Sequence, residues 1–336
     1  MRPSVITLPW EKVTLTWVTD IHLSAIPPGK RSSDYEDQIF KKLEFVRDLS
    51  LSKEAVCLCG GDIFHVKGPK STANSLRMVN RLIALLKTFP LGRWFSCIGN
   101  HDIQYDQMAT VPNQPIGVLI ESGVCHPLNF EPVIFTNRDG SVRVLVESFD
   151  YAEGAETCAA IKASGKRPEG IDYRIAIIHA SGSPGDSRES FGSWMIGYNQ
   201  LKNEDFDLML WGHDHSRLET MRVGNVTHVH LGALSRAALT ETEITRKISV
   251  PIFTFTPEKA GIKEIEVPVL PAEQIFRKED KVIEKINEDN TEVKKFFSAM
   301  NESVDGITSE NPIEVIETLG EKDTKLSALI KDLCEY

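Results

Sequence analysis

A chain of 336 residues with 41% hydrophobic and 26% charged residues has the composition of a folded globular protein and the length for one large domain or two smaller ones. It holds no run of 18 apolar residues and no apolar leader ahead of a small-residue cleavage site, so neither a membrane span nor a secretory signal is predicted. The net charge of −10 is concentrated at the end: residues 258–336 carry 11 Lys+Arg and 19 Asp+Glu, which leaves the first 257 residues near neutral and compatible with a nucleic-acid substrate.

In chain order, Val13–Thr19 is a predicted strand that ends at Asp20. Ser33 is positioned to cap a helix running to about Ser50, with Ile39, Leu43 and Val46 on one face. Ala55–Cys59 is a second buried strand, ending at Gly60-Gly61-Asp62. Ser71 opens a helix with an apolar stripe of Leu76, Val79, Ile83 and Leu86. Strands at Trp94–Ile98, Val142–Val146, Ile175–Ile178 and Leu208–Trp211 follow, and Val226–Leu231, Ile252–Thr256 and Ile262–Val269 read as antiparallel strands. The six cysteines are scattered, several of them in strand-like runs, and fit buried thiols of a reducing cytoplasm. This alternation predicts an α/β core with a largely parallel or mixed sheet. Residues 281–300 and 312–334 read as amphipathic helices of an acidic extension, so the expected division is a catalytic domain over 1–270 and a helical extension over 271–336.

Five polar clusters fall just past strand ends, where ligands bind in open α/β sheets. They are Asp20-Ile21-His22, Gly61-Asp62, Gly99-Asn100-His101-Asp102, His179, and Gly212-His213-Asp214-His215. Carboxylates, imidazoles and one amide oxygen, with no thiolate, suit Mn, Fe or Zn in a catalytic rather than structural site. A carboxylate can bridge two ions, the arrangement that serves in-line displacement at phosphorus. Taken singly, each cluster could be a polar turn; their order and shared strand-end position set them apart.

In that order, D-x-H, G-D, G-N-H-D, a lone His and G-H-x-H resemble the calcineurin-like metallophosphoesterase superfamily over residues 13 to about 240. The resemblance implies a four-layer αββα sandwich with a two-metal centre on one edge. It implies one ion on Asp20, His22, Asp62 and His215, and another on Asp62, Asn100, His179 and His213. His101 would then lie near the scissile phosphate, to stabilise charge or protonate the leaving oxygen, and Asp102 would either orient a neighbouring group or simply serve the turn. Mn²⁺ is the expected metal, ahead of Mg²⁺, Fe²⁺ or Zn²⁺, because four imidazoles suit the hard Mg²⁺ ion poorly.

Gly60-Gly61-Asp62-Ile63-Phe64-His65 is similar to the SbcD-type DNA repair nuclease subunit, in which the His three past the bridging Asp lies beside the catalytic His; here these are His65 and His101. Leu231-Gly232-Ala233-Leu234-Ser235-Arg236 is similar to that family's P-G-S-x-x-R segment, departing at Leu231 and Ala233. The resemblance implies a DNA exo- or endonuclease of repair, recombination or phage DNA metabolism. It also implies C-terminal helices that hold an SbcC-like ATPase, with a homodimer as a further assembly. Candidate DNA contacts are Lys30, Arg31, Lys67, Lys70 and Arg188, with Phe191 and Trp194 as stacking aromatics. The alternatives are a small-molecule or nucleotide phosphodiesterase or phosphatase, and a scaffold that binds without hydrolysis.

Overall fold

The computed structural model describes residues 3–32, 34–68, 71–190 and 193–276. The first half runs β1 (Ser4–Thr7), β2 (Val13–Val18), α1 (Tyr35–Ser52), β3 (Val56–Cys59), α2 (Leu76–Leu86), β4 (Trp94–Ser96), α3 (Pro115–Glu121) and β5 (Cys125–Pro127). It continues with β6 (Val133–Thr136), β7 (Arg143–Phe149), α4 (Gly154–Ala163), β8 (Tyr173–His179), β9 (Gly182–Ser183), β10 (Arg188–Ser190) and β11 (Ser193–Gly197). The remaining elements are β12 (Leu208–Gly212), β13 (Met221–Val223), β14 (Val226–Val229), α5 (Glu241–Thr245), β15 (Ser249–Phe255), β16 (Ala260–Glu266) and α6 (Ala272–Ile275).

Two large sheets dominate. One has the order β16-β15-β2-β3-β4-β5 and the other β1-β6-β7-β8-β12-β14-β13, while β10-β11-β9 form a small third sheet. Within the first, β2, β3, β4 and β5 are parallel neighbours joined through α1, α2 and α3. Within the second, β7, β8, β12 and β14 run parallel.

Side-chain alternation along the strands builds three layers of core. Leu15, Trp17, Leu58 and Phe95 from the first sheet meet Val144, Val146, Ile175, Ile177 and Leu210 from the second. The opposite faces of the same strands carry Cys57 and Cys59, which pack under α1, α2 and α3 with Ile39, Leu43, Met78, Leu82 and Leu119. Ala176, Ile178, Met209 and Trp211 pack with Cys158 and Ile161 of α4. Helices outside each of two stacked sheets give the expected four-layer αββα sandwich, in a mixed α/β fold.

Several local expectations shift. Ser33 and the expected helices at 281–300 and 312–334 lie outside the described residues. Ser71 caps a short 3₁₀ turn over Thr72–Asn74, and the Ser75 hydroxyl then accepts from Met78 N at 3.3 Å to start α2. Leu76 is therefore the first residue of α2 and 80% exposed, so the buried face is Met78, Val79, Leu82, Leu85 and Leu86. Ile252–Thr256 and Ile262–Val269 do contribute an antiparallel hairpin, β15–β16. Val226–Leu231 instead contributes a strand parallel to β12 and antiparallel only to β13.

Candidate metal centre

The parallel strands place the polar clusters on one edge. Asp20 and His22 follow β2, Asp62 follows β3, Asn100 follows β4, His179 ends β8, and His213 and His215 follow β12. Because β2, β3 and β4 are adjacent in one sheet and β8 and β12 adjacent in the other, their carboxyl ends converge across the sandwich.

All nine predicted site residues join one cluster. His22 Nε2 lies 2.8 Å from His215 Nε2, 3.7 Å from Asp62 Oδ2 and 3.9 Å from Asp20 Oδ1. Across Asp62, His179 Nε2 lies 3.5 Å from Asp62 Oδ1 and 3.1 Å from Asn100 Oδ1. His213 Nδ1 is 3.0 Å from the same amide oxygen. Ligand atoms of Asp20, His22 and His215 lie within 4.8 Å of one another, and so do those of Asp20, Asp62 and His179. Asp62 thus faces both halves of the cluster. The donor set fits a pair of divalent ions: two carboxylates, an amide oxygen and four imidazoles, with His22 Nδ1 buried and without a hydrogen-bond partner among the described residues.

Burial sets the protonation of the rings. It lowers the pKa of His22 well below its ordinary value, and with the neighbouring His179 it pulls that of His213 down to about 4. Neutral imidazoles are what metal ligation requires. Burial would lower His179 as well, but the Asp62 carboxylate outweighs it and raises that ring to about 10. In return, the His179, His22 and His101 rings overcome burial and hold Asp62 well below the usual carboxylate range.

The backbone is strained where it presents these groups. Asp20, His22, Asp62 and His213 have φ of 51°, 48°, 52° and 82°, each costing about 1–2 kcal/mol for a side chain with a Cβ. Gly61, next to Asp62, shares the left-handed backbone with φ of 94°. Gly99 is required for space, because a Cβ there would meet Asp62 Oδ1 at 2.1 Å.

Asp102 serves both its own turn and the neighbouring Asp62 backbone. Buried at 1% exposure, it accepts hydrogen bonds from Asp62 N at 2.8 Å, Ile63 N at 3.2 Å and Gly99 N at 3.0 Å. Burial and the Asp62 carboxylate push its own carboxyl up to about 7. Three supports escaped the sequence reading. Thr19 Oγ1 donates to Asp20 Oδ2 at 2.7 Å, Tyr35 OH donates to His22 O at 2.8 Å, and Ser235 Oγ donates to Asp20 O at 2.9 Å. Ser235 could have been found, since it sits in the Leu231–Arg236 segment already singled out. Tyr151, whose ring centroid lies 5.4 Å from His213, carried no sequence signal.

His65 and His101 stack with ring centroids 5.9 Å apart and an interplanar angle of 20°. His101 Nδ1 donates to His65 O at 2.6 Å, and its ring edge lies 4.7 Å from His22 by centroids. With Nδ1 committed, His101 Nε2 is the nitrogen left for proton transfer.

The expected DNA contacts fare unevenly. Lys30 and Arg188 are exposed, and Lys67 lies 4.0 Å from Asp106. Arg31 is corrected: it is 1% exposed, bonded to Gln38 and stacked on Tyr35 and Phe276, so it cannot meet a phosphate at the surface. Trp194 is 41% exposed and its backbone and ring abut Gly154 at the start of α4. Lys70 and Phe191 lie outside the described residues. Among the described residues, no helix is long and apolar enough to cross a membrane.

Residues 13–217 match the profile of the calcineurin-like phosphoesterase family. No curated protein matches the chain by sequence. Among solved structures, similarity extends to a protein assigned as a 5′-nucleotidase from Staphylococcus aureus, at 16% identity and a TM-score of 0.42, covering 80% of this chain and 55% of that one. A 5′-nucleotidase from Candida albicans matches at 15% identity and 0.41, covering 80% and 53%. A conserved Streptococcus pneumoniae protein assigned as a phosphoesterase matches at 14% and 0.32, covering 78% and 94%. The chain spans about half the length of the two nucleotidases.

Proposed function

The chain belongs to the calcineurin-like phosphoesterase family, a metal-dependent phosphoester hydrolase, and from that premise we propose that it cleaves DNA phosphodiester bonds in the manner of an SbcD-type nuclease. The observation that carries the finer reading is the stacked His65–His101 pair at the edge of the cluster. Asp20, His22, Asp62 and His215 would hold one divalent ion, and Asp62, Asn100, His179 and His213 the other. Such a pair supplies a nucleophile from water at neutral pH and neutralises charge at phosphorus, with Mn²⁺ the favoured metal.

The chain's own groups do the rest. Asp62 is fixed through its backbone by Asp102 and accepts from His101 N at 2.8 Å. His101, oriented by the His65 carbonyl, carries a proton at Nε2 to the leaving oxygen. The exposed Lys30 and Arg188 would meet DNA phosphates. Five buried, unpaired thiols, Cys57, Cys59, Cys97, Cys125 and Cys158, support a reducing, cytoplasmic setting. Residues 271–336 are proposed to bind an SbcC-like ATPase, with a homodimer as the other candidate assembly.

A substrate comparison with His65→Ala tests the reading. We expect the wild-type protein to cleave DNA in preference to nucleoside monophosphates, and His65→Ala to lose DNA cleavage while keeping its metal. A preference for nucleoside monophosphates, unaffected by His65→Ala, would make the chain a nucleotidase instead.

A further inference from the structure

A cavity of about 250 Å³ lies outside the histidine cluster. Gln38, Lys42 and Arg236, with the exposed Lys41, contribute its polar lining, and Ile248, Leu270 and Ile275 are among its apolar walls. Three of these are deeply buried, with Gln38 at 8%, Lys42 at 7% and Arg236 at 5% exposure. Arg31 and Arg246, at 1% and 6%, add to the charge around Lys42. Among the described residues, the buried carboxylate set against these four cations is Glu243, whose hydrogen bonds go to Arg246.

Arg31, Lys42 and Arg236 form no ion pair with any described residue. Their hydrogen bonds go to neutral acceptors: the Gln38 amide, Leu234 O and Arg246 O. Among the described residues, Arg31 Nε and Nη1 and Arg236 Nε have no hydrogen-bond partner, and the exposed Asp34 carboxylate interacts with Gln38 and Arg31. Buried cations are costly unless paired, and buried N–H groups are rarely left unmade. Burial and the surrounding guanidinium groups also drive the Lys42 pKa well below its ordinary value, the direction that a counter-anion would reverse.

We propose that this cavity is a binding site for a small organic oxyanion, its charged head on Lys42, Arg236 and Gln38 and its apolar body against Ile248, Leu270 and Ile275. The volume is several times the ~30 Å³ of one water, and the apolar walls favour a carbon body over a bare inorganic ion. The floor is tied to the metal-ligand cluster. Lys42 Nζ donates to Leu234 O at 2.8 Å and Arg246 donates to Ala233 O and Ser235 O, while Ser235 holds Asp20 O. An anion seated here braces the strap on which Asp20 rests.

The test titrates hexanoate, hexyl phosphate and hexanol into the full-length chain, with calorimetry for affinity and thermal melting as a second readout. Asp62→Asn is run in parallel to separate this cavity from the metal centre. Leu270→Glu places a carboxylate at the rim from a residue that is 45% exposed, so its fold is not at stake; Arg236→Gln is the companion variant. We expect at least one of the two anions to bind and raise the melting temperature, equally in wild type and Asp62→Asn, and at least tenfold more weakly in Leu270→Glu. Which anion binds assigns the head group as carboxylate or phosphate. Hexanol binding as tightly as the anions, anion binding unchanged in Leu270→Glu or lost in Asp62→Asn, or no binding of either anion would overturn the proposal.

Discussion

At the scale of single residues, Asp62 is the group on which both halves of the cluster depend. Asp62→Asn is expected to abolish hydrolysis and lower occupancy of both ions, checked by metal analysis of the purified variant. The ligand nitrogens of His22, His65 and His101 also lie within 4.8 Å of one another. On the proposed division, with His101 as the proton carrier outside both ion sites, His101→Ala should keep both ions while the rate falls by about 10²–10⁴, the usual range for general acid–base catalysis. Loss of metal in that variant would place His101 among the ligands instead. Asp102 acts through others: replacing it with Ala leaves three backbone N–H donors without their acceptor, which should cost about 2–4 kcal/mol in urea denaturation.

Elements explain why these residues meet and which of them could be read in advance. Asp20, Asp62, Asn100, His179 and His213 were legible because each follows a strongly apolar strand, and parallel strands direct their carboxyl ends to one edge. Thr19, Tyr35 and Tyr151 were not, because a hydroxyl or ring that supports a distant residue leaves no local pattern. Nor did spacing reveal short strands such as β1 and β5, whose pairing partners β6 and β4 lie far away in sequence. The start of α2 was placed one turn early because Ser71 and Ser75 are both competent caps, which misplaced Leu76, while Val79 and Leu86 of the expected stripe are buried and Ile83 packs against the core.

The β12–β14 pair carries a pH-dependent element of stability. His228, stacked on Tyr198 with centroids 4.1 Å apart, accepts from Trp211 Nε1 at 3.1 Å, and burial lowers its pKa to about 4. Between its ordinary pKa of about 6.5 and that value, the unfolded chain takes up a proton that the folded chain refuses. Stability is therefore full above about pH 6.5 and falls by about 3 kcal/mol as pH drops to 4. In His228→Gln the gap between urea midpoints at pH 7 and pH 4.5 should narrow; an unchanged gap would assign the effect to the other buried histidines.

Across the whole molecule, charge is divided between a nearly neutral first part and an acidic end. An acidic extension would be held away from DNA and would favour a basic partner surface. Ile275 and Phe276 are buried at 3% and 7%, so a truncation belongs after Arg277. We expect residues 1–277 to keep their circular dichroism spectrum and metal binding but to lose association with an SbcC-like ATPase in pull-down. Unfolding of the truncated chain would make the extension part of the core.

Cleavage of end-labelled single- and double-stranded DNA by the purified protein, with Mn²⁺, Mg²⁺ or chelator and with Asp62→Asn beside the wild type, bears most directly on a two-metal DNA phosphodiesterase. We expect shortened labelled products with Mn²⁺, much slower cleavage with Mg²⁺, and none with chelator or Asp62→Asn. Intact DNA under every metal condition, or cleavage that survives both chelator and Asp62→Asn, would contradict it.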